Sequence, residues 1–77
     1  MKIGNIIRDK EILGGKPIIR QTRISVDFLL ELLASGMSVK EIADEYPQLN
    51  ENLIREAISF AAKEIERTEV AFTVAPA

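Results

Sequence analysis

The sequence predicts a mainly α domain, three helices behind a short N-terminal β hairpin. Three observations carry this. Residues suited to capping a helix stand at Ser25, Ser38 and Asn50, each directly ahead of an apolar pattern of helical period. Gly36 and the pair Tyr46-Pro47 end the first two patterns. Ahead of all three lie two β-branched stretches bounded by glycine and polar residues, the composition of short strands.

Taken in order, "KIGNIIRD" and "KPIIRQT" are the two expected strands. Between them, "EILGG" suits a turn or a single helical turn, because Gly14 and Gly15 reach conformations that other residues resist. Pro17 cannot donate to a ladder, so it should open a strand or lie on an edge. Ser25 caps a first helix near 26–35, with Asp27 at the positive end of its dipole. Ser38 caps a second helix near 39–45, and Glu41 completes a capping box. "PQLN" is a turn, and Asn50 caps a third helix near 51–67. Its apolar side carries Leu53, Ile54, Ala57, Ile58, Ala61 and Ile65. The last stretch, "VAFTVAPA", alternates Val70, Phe72 and Val74 like a strand and holds no charge after Glu69.

A helix, a tight turn, a short capped helix, a turn and a longer helix is the layout of a helix-turn-helix or homeodomain-like unit. The expected division is a β element over 1–24, the helical unit over 25–67 and an extended tail over 68–77. The expected core is Ile24, Phe28, Leu29, Leu32, Leu33, Ile42, Leu53, Ile54, Ala57, Ile58 and Ala61.

At 77 residues the chain is one small domain, for which pairing with a second copy is a reasonable expectation. The unpaired edges of a two-stranded element point the same way, so a dimer or higher oligomer is expected. Cysteine and histidine are both absent. That removes disulfides, thiol chemistry and the usual zinc ligands, and no carboxylate, Lys or Ser constellation stands at catalytic spacing. The reading is therefore not an enzyme, with no cofactor and no metal. The N-terminus has no h-region and no apolar run approaches a membrane span, so a cytoplasmic protein away from membranes is the default expectation.

Charge is uneven. Residues 1–23 hold six basic residues (Lys2, Arg8, Lys10, Lys16, Arg20, Arg23) against Asp9 and Glu11, a balance of +4. Residues 24–77 hold Lys40, Arg55, Lys63 and Arg67 against ten carboxylates, −6, which recovers the net −2. A basic head on an acidic body suits self-association or an anionic partner for the head.

The basic head centres on "GGKPIIRQTRISV", residues 14–26. Thr22 can tie its hydroxyl to nearby backbone ahead of the cap at Ser25. Arg23 offers a planar fork for a carboxylate or a phosphate. An ion pair with Asp27 or Glu31 is the favoured use, because the body is so acidic. Lys16 and Arg20, either side of the isoleucine pair, should face solvent.

"LGGKPIIRQTRISV", followed by "LLELLASGMSVKEIADEYPQLNENLIREAISFAA", resembles the domain-of-unknown-function 433 family over about residues 10–62. The family pattern runs GGxPxIxGTRIxV, a leucine-rich helix, a Gly-Met/Leu-Ser/Thr step, an E-I-x-x-x-YP-x-L turn and a last helix. The resemblance implies a homeodomain-like helical domain with an N-terminal β element and a prokaryotic source. It also implies kinship with VapB-type antitoxins, which stand beside a PIN-like ribonuclease toxin. Gln21 departs from the pattern, which has glycine before Thr22-Arg23, and so questions a positive φ at that position.

Two functions follow as expectations. The first is an antitoxin-like regulator that binds a partner protein and, as a dimer or complex, operator DNA. The exposed N-terminal half of the last helix would meet base edges through Asn52, Arg55 and Ser59, with Glu56 beside them, while Lys16, Arg20 and Arg23 supply phosphate contacts. Glu51 and Glu56 are poor neighbours for phosphates, so one chain alone should bind DNA weakly. Val70, Phe72 and Val74 of the tail would meet the partner, by strand addition with Phe72 filling a pocket. A tail that folds back on its own sheet or on a dimer mate, or is merely frayed, is the competing expectation there. The second function is an interaction or oligomerisation module without nucleic-acid contact.

Overall fold

The computed structural model describes residues 4–68, and within them the fold is mainly helical with an N-terminal hairpin. Strand β1 (Ile6–Arg8) pairs antiparallel with β2 (Pro17–Ile19) in the register Ile6↔Ile19, Ile7↔Ile18, Arg8↔Pro17. Pro17 opens its strand, where a missing N–H does no harm. A single 3₁₀ turn, Leu13–Gly15, joins the strands. Helices α1 (Val26–Ala34), α2 (Val39–Glu45) and α3 (Glu51–Thr68) follow.

Each cap does what its residue type suggests. The Ser25 hydroxyl accepts from the Phe28 N–H at 3.1 Å. Ser38 and Glu41 close a reciprocal box, with Ser38 Oγ accepting the Glu41 N–H at 3.0 Å and Glu41 Oε1 accepting the Ser38 N–H at 2.8 Å. Asn50 Oδ1 accepts the Leu53 N–H at 2.8 Å. Helix α1 ends in a Schellman arrangement: Gly36 stands at φ +108°, its N–H reaches Leu33 O, and the Met37 N–H reaches Leu32 O.

The buried core is Ile6, Ile18, Ile19, Val26, Leu29, Ile42, Leu49, Ile54 and Ala57. It is less helical than the sequence pattern implies. Ile18 and Ile19 point to opposite faces of β2, and both are buried, so the strand is covered on both sides. One neighbour is β1; on the other side Ile18 bridges to Ser25. The hairpin is thus part of the same core rather than an appendage. Leu49 enters through the turn after α2, where its N–H bonds Tyr46 O at 2.8 Å.

Of the expected core, Leu29, Ile42, Ile54 and Ala57 are buried, while Ile24, Leu32, Leu33, Leu53, Ile58 and Ala61 are half-buried against them. Phe28 does not belong to the core: it is 39 % exposed and meets the Tyr46 ring edge-on, centroids 5.9 Å apart. Its place is a surface clasp between α1 and the end of α2, where the T-shaped geometry of two aromatic quadrupoles is favourable.

Candidate functional site

The loop between β2 and α1 is built by Thr22. Its hydroxyl donates to Ile19 O at 2.7 Å and accepts the Ile24 N–H at 2.9 Å. The Thr22 N–H also returns to Ile19 O at 3.0 Å, and the Ile19 N–H to Ile24 O at 2.9 Å. Gln21 sits at the third position of this turn with φ +67°. The left-handed conformation that glycine would favour there is therefore retained by a glutamine.

This loop fixes where the basic residues go, and it separates them. Lys16 does not stay in solvent alone: its Nζ lies 3.1 Å from Asp27 Oδ2. Asp27, the expected mate of Arg23, is taken. The Ser25 hydroxyl, and after it the Lys16 ammonium, hold the Asp27 carboxyl below the usual carboxylate range. Arg23 makes no ion pair with any described residue and lies exposed in a shallow hollow with Leu13, Ile24, Phe28 and Glu31. The ion pair expected of it with Asp27 or Glu31 is thus not formed, because Lys16 reaches Asp27 instead. Arg20 turns the other way. Its guanidinium donates to Gly4 O at 2.9 Å, and its backbone N–H to Asn5 O at 2.7 Å.

Helix α3 presents Asn52, Arg55 and Ser59 to solvent, as its periodicity implies. Arg55 is engaged along its own helix, 3.0 Å from Glu51. Glu56 does not share that open face. It is half-buried, and its carboxylate accepts both the Asn5 backbone N–H at 2.7 Å and Asn5 Nδ2 at 3.0 Å. Gly4 makes this approach feasible: it stands at φ +83°, and a Cβ there would collide with the Glu56 carboxylate. Through Gly4 and Asn5, Arg20 is brought to the N-terminal half of α3. Lys16 and Arg23 lie instead against α1.

The six expected nucleic-acid contacts therefore form two groups. Asn52, Arg55 and Ser59 share the exposed side of α3, and Arg20 is linked to that helix only through Gly4, Asn5 and Glu56, while Lys16 and Arg23 flank the start of α1. Two of the four cations, Lys16 and Arg55, face a carboxylate within 3.1 Å, whereas among the described residues Arg20 meets a carbonyl and Arg23 faces no carboxylate. The Glu56–Asn5 clamp was beyond sequence reasoning, since nothing local links residues 51 positions apart. Among the described residues no cluster of carboxylates is arranged to hold a metal ion, and no helix is long and apolar enough to cross a membrane. Val70, Phe72 and Val74, the expected partner contacts, lie outside the described residues.

Neither the curated proteins nor the solved structures contain a match to the chain. The model of a family described as "Protein of unknown function (DUF433)" matches residues 6–61. That stretch runs from β1 through most of α3 and takes in the Thr22 loop, the N-cap of every helix and Glu56, though not its partner Asn5, and on it the chain belongs to the DUF433 family.

Proposed function

We propose that this protein is an antitoxin-like small regulator. It binds a partner protein, of the PIN-like ribonuclease class that the family resemblance implies, and contacts operator DNA as a dimer or as that complex. The supporting observation is α3, the second helix of a helix-turn-helix order, which exposes Asn52, Arg55 and Ser59, with Arg20 exposed on the hairpin that Glu56 of the same helix clamps. Asn and Arg are suited to adenine and guanine edges. Arg20 and Arg23 keep charge for phosphates, and Val70, Phe72 and Val74 supply the partner contact. A homodimer doubles the number of α3 helices and basic loops, which offsets the weak field of one chain. The chain acts by binding, not by catalysis.

A second reading, an interaction module without DNA contact, is favoured by one observation: Lys16 and Arg55 are already neutralised by Asp27 and Glu51. Fluorescence anisotropy with the DNA upstream of the gene separates the two, with and without the protein encoded by the adjacent frame. DNA binding should weaken steeply with salt, and Arg20→Ala with Arg23→Ala should flatten that dependence by roughly one unit of log–log slope per lost phosphate contact. Absence of binding under both conditions leaves the interaction module. Light scattering that finds only monomer at high concentration removes the dimer.

A further inference from the structure

An apolar groove of about 300 Å³ runs between the hairpin, α1 and the second half of α3, floored by Pro17, Val26, Leu30, Phe60, Ala61 and Ile65. Ile65 is 66 % exposed although it continues the apolar stripe of its helix. Two ion pairs rim the groove, Arg8–Glu64 at 3.8 Å and Lys16–Asp27 at 3.1 Å. Each brings one charge of either sign, so the rim favours neither an acidic nor a basic occupant.

We propose that the occupant is the chain's own C-terminal segment, residues 69–77, with Phe72 over the floor beside Ile65 and Leu30. After Glu69 that segment carries no charge and alternates Val70, Phe72 and Val74, which suits a balanced rim and an apolar floor. It also starts in the right place. Thr68 ends α3 three residues past Ile65, about 4.5 Å along the axis, and nine extended residues reach about 30 Å. That is ample to reverse and lie back along the groove.

Size decides between this segment and a separate molecule. A stable interface between free proteins takes about 20–30 residues a side. Six apolar side chains fall well short of that, whereas a tethered segment acts at an effective concentration in the millimolar range and needs far less contact. Phe72 is then covered in the free protein, and a partner that uses it must first draw it out. The inference concerns the chain alone, so it stands or falls separately from the partner and DNA reading.

The natural absence of cysteine makes the test clean. In Ile65→Cys the thiol should react with a maleimide about tenfold or more slowly in the full chain than in the chain ended at Thr68, as for a seat occupied roughly nine parts in ten. Phe72→Ser in the full chain should release the same protection while circular dichroism keeps its helix signal. Equal rates in all three overturn the proposal. Asp27→Cys with Thr73→Cys, which keeps Phe72 and pairs the rim of the groove with the segment, treated with a short bismaleimide, should give a cross-link within one chain at every protein concentration. A two-chain product shows the segment seated in a second copy and overturns the proposal, as does absence of any cross-link.

Discussion

Glu56, in the first half of α3, holds Asn5 by two hydrogen bonds, one to the backbone N–H at 2.7 Å and one to the side-chain amide at 3.0 Å. Both partners on Asn5 are donors, so only a group with two acceptor oxygens satisfies them together. Glu56→Gln replaces one acceptor by a donor. It should cost about 1.5–3 kcal/mol, the range of a hydrogen bond to a charged group, with helix content unchanged by circular dichroism. Gly4→Ala should cost at least as much, since it adds a collision with the same carboxylate to a left-handed φ. Urea titration of both variants measures this.

Gln21 is a site where the protein should gain stability. A non-glycine residue at positive φ costs about 1–2 kcal/mol, and glycine loses about 0.5–1 kcal/mol through its freer unfolded chain. Gln21 is exposed, and the turn's hydrogen bonds run through the backbone and Thr22. Gln21→Gly should therefore raise the unfolding free energy by about 0.5–1 kcal/mol. A midpoint in urea equal to or below that of the parent contradicts the strain argument.

Thr22 should behave in the opposite way. Its hydroxyl serves both ends of the loop, as donor to Ile19 O and acceptor from the Ile24 N–H. Thr22→Val keeps the shape and removes both bonds, leaving two backbone groups without that partner in a partly buried loop. A loss of about 1–3 kcal/mol is expected, read as a lower melting temperature.

The helices were legible because their start and stop signals are local. Ser25, Ser38 with Glu41, and Asn50 each bond a backbone N–H three residues on, so the pattern lies within four letters of sequence. The expected first helix runs one residue too far and the last stops one residue short, the ordinary fraying of such boundaries. Burial was less legible, because it depends on what covers each element. Ile18 and Ile19 look like half of an exposed hairpin, yet both are buried once the hairpin packs into the domain, Ile19 in one cluster with Leu29 and Ile54. Phe28 looks like core until Tyr46 gives it a partner at the surface. The charged residues show the same limit. Arg23 and Lys16 are both close enough in sequence to reach Asp27, and only the course of the loop decides that Lys16 does.

That difference in burial has a measurable consequence on one helix. Leu29 is fully buried, whereas Leu33, one turn on, is only half-buried. Leu29→Ala should cost the roughly 2–5 kcal/mol of a buried large-to-small change, and Leu33→Ala clearly less, because its side chain already meets water. The two variants in parallel thermal melts should rank in that order. The reverse ranking contradicts the core described here.

Acid should weaken the contact between Lys16 and Asp27 in a defined direction. The folded-state carboxyl of Asp27 is held below its usual range, first by the Ser25 hydroxyl and then by Lys16. The unfolded chain therefore takes up this proton at higher pH than the folded chain does. The stabilisation is complete above the usual carboxylate pKa, about 4, and is lost as pH falls through the depressed folded value. Its size is limited, since both side chains are more than half exposed at 56 % and 55 %, and exposed pairs contribute about 0–1 kcal/mol. Asp27→Asn should thus lower stability slightly at pH 7, leave it equal to the parent near pH 2, and flatten the decline between. Lys16→Met should reproduce part of the effect, because the Ser25 hydroxyl remains. An Asp27→Asn variant whose deficit persists unchanged at pH 2 would show that the carboxylate's charge is not what stabilises the start of α1.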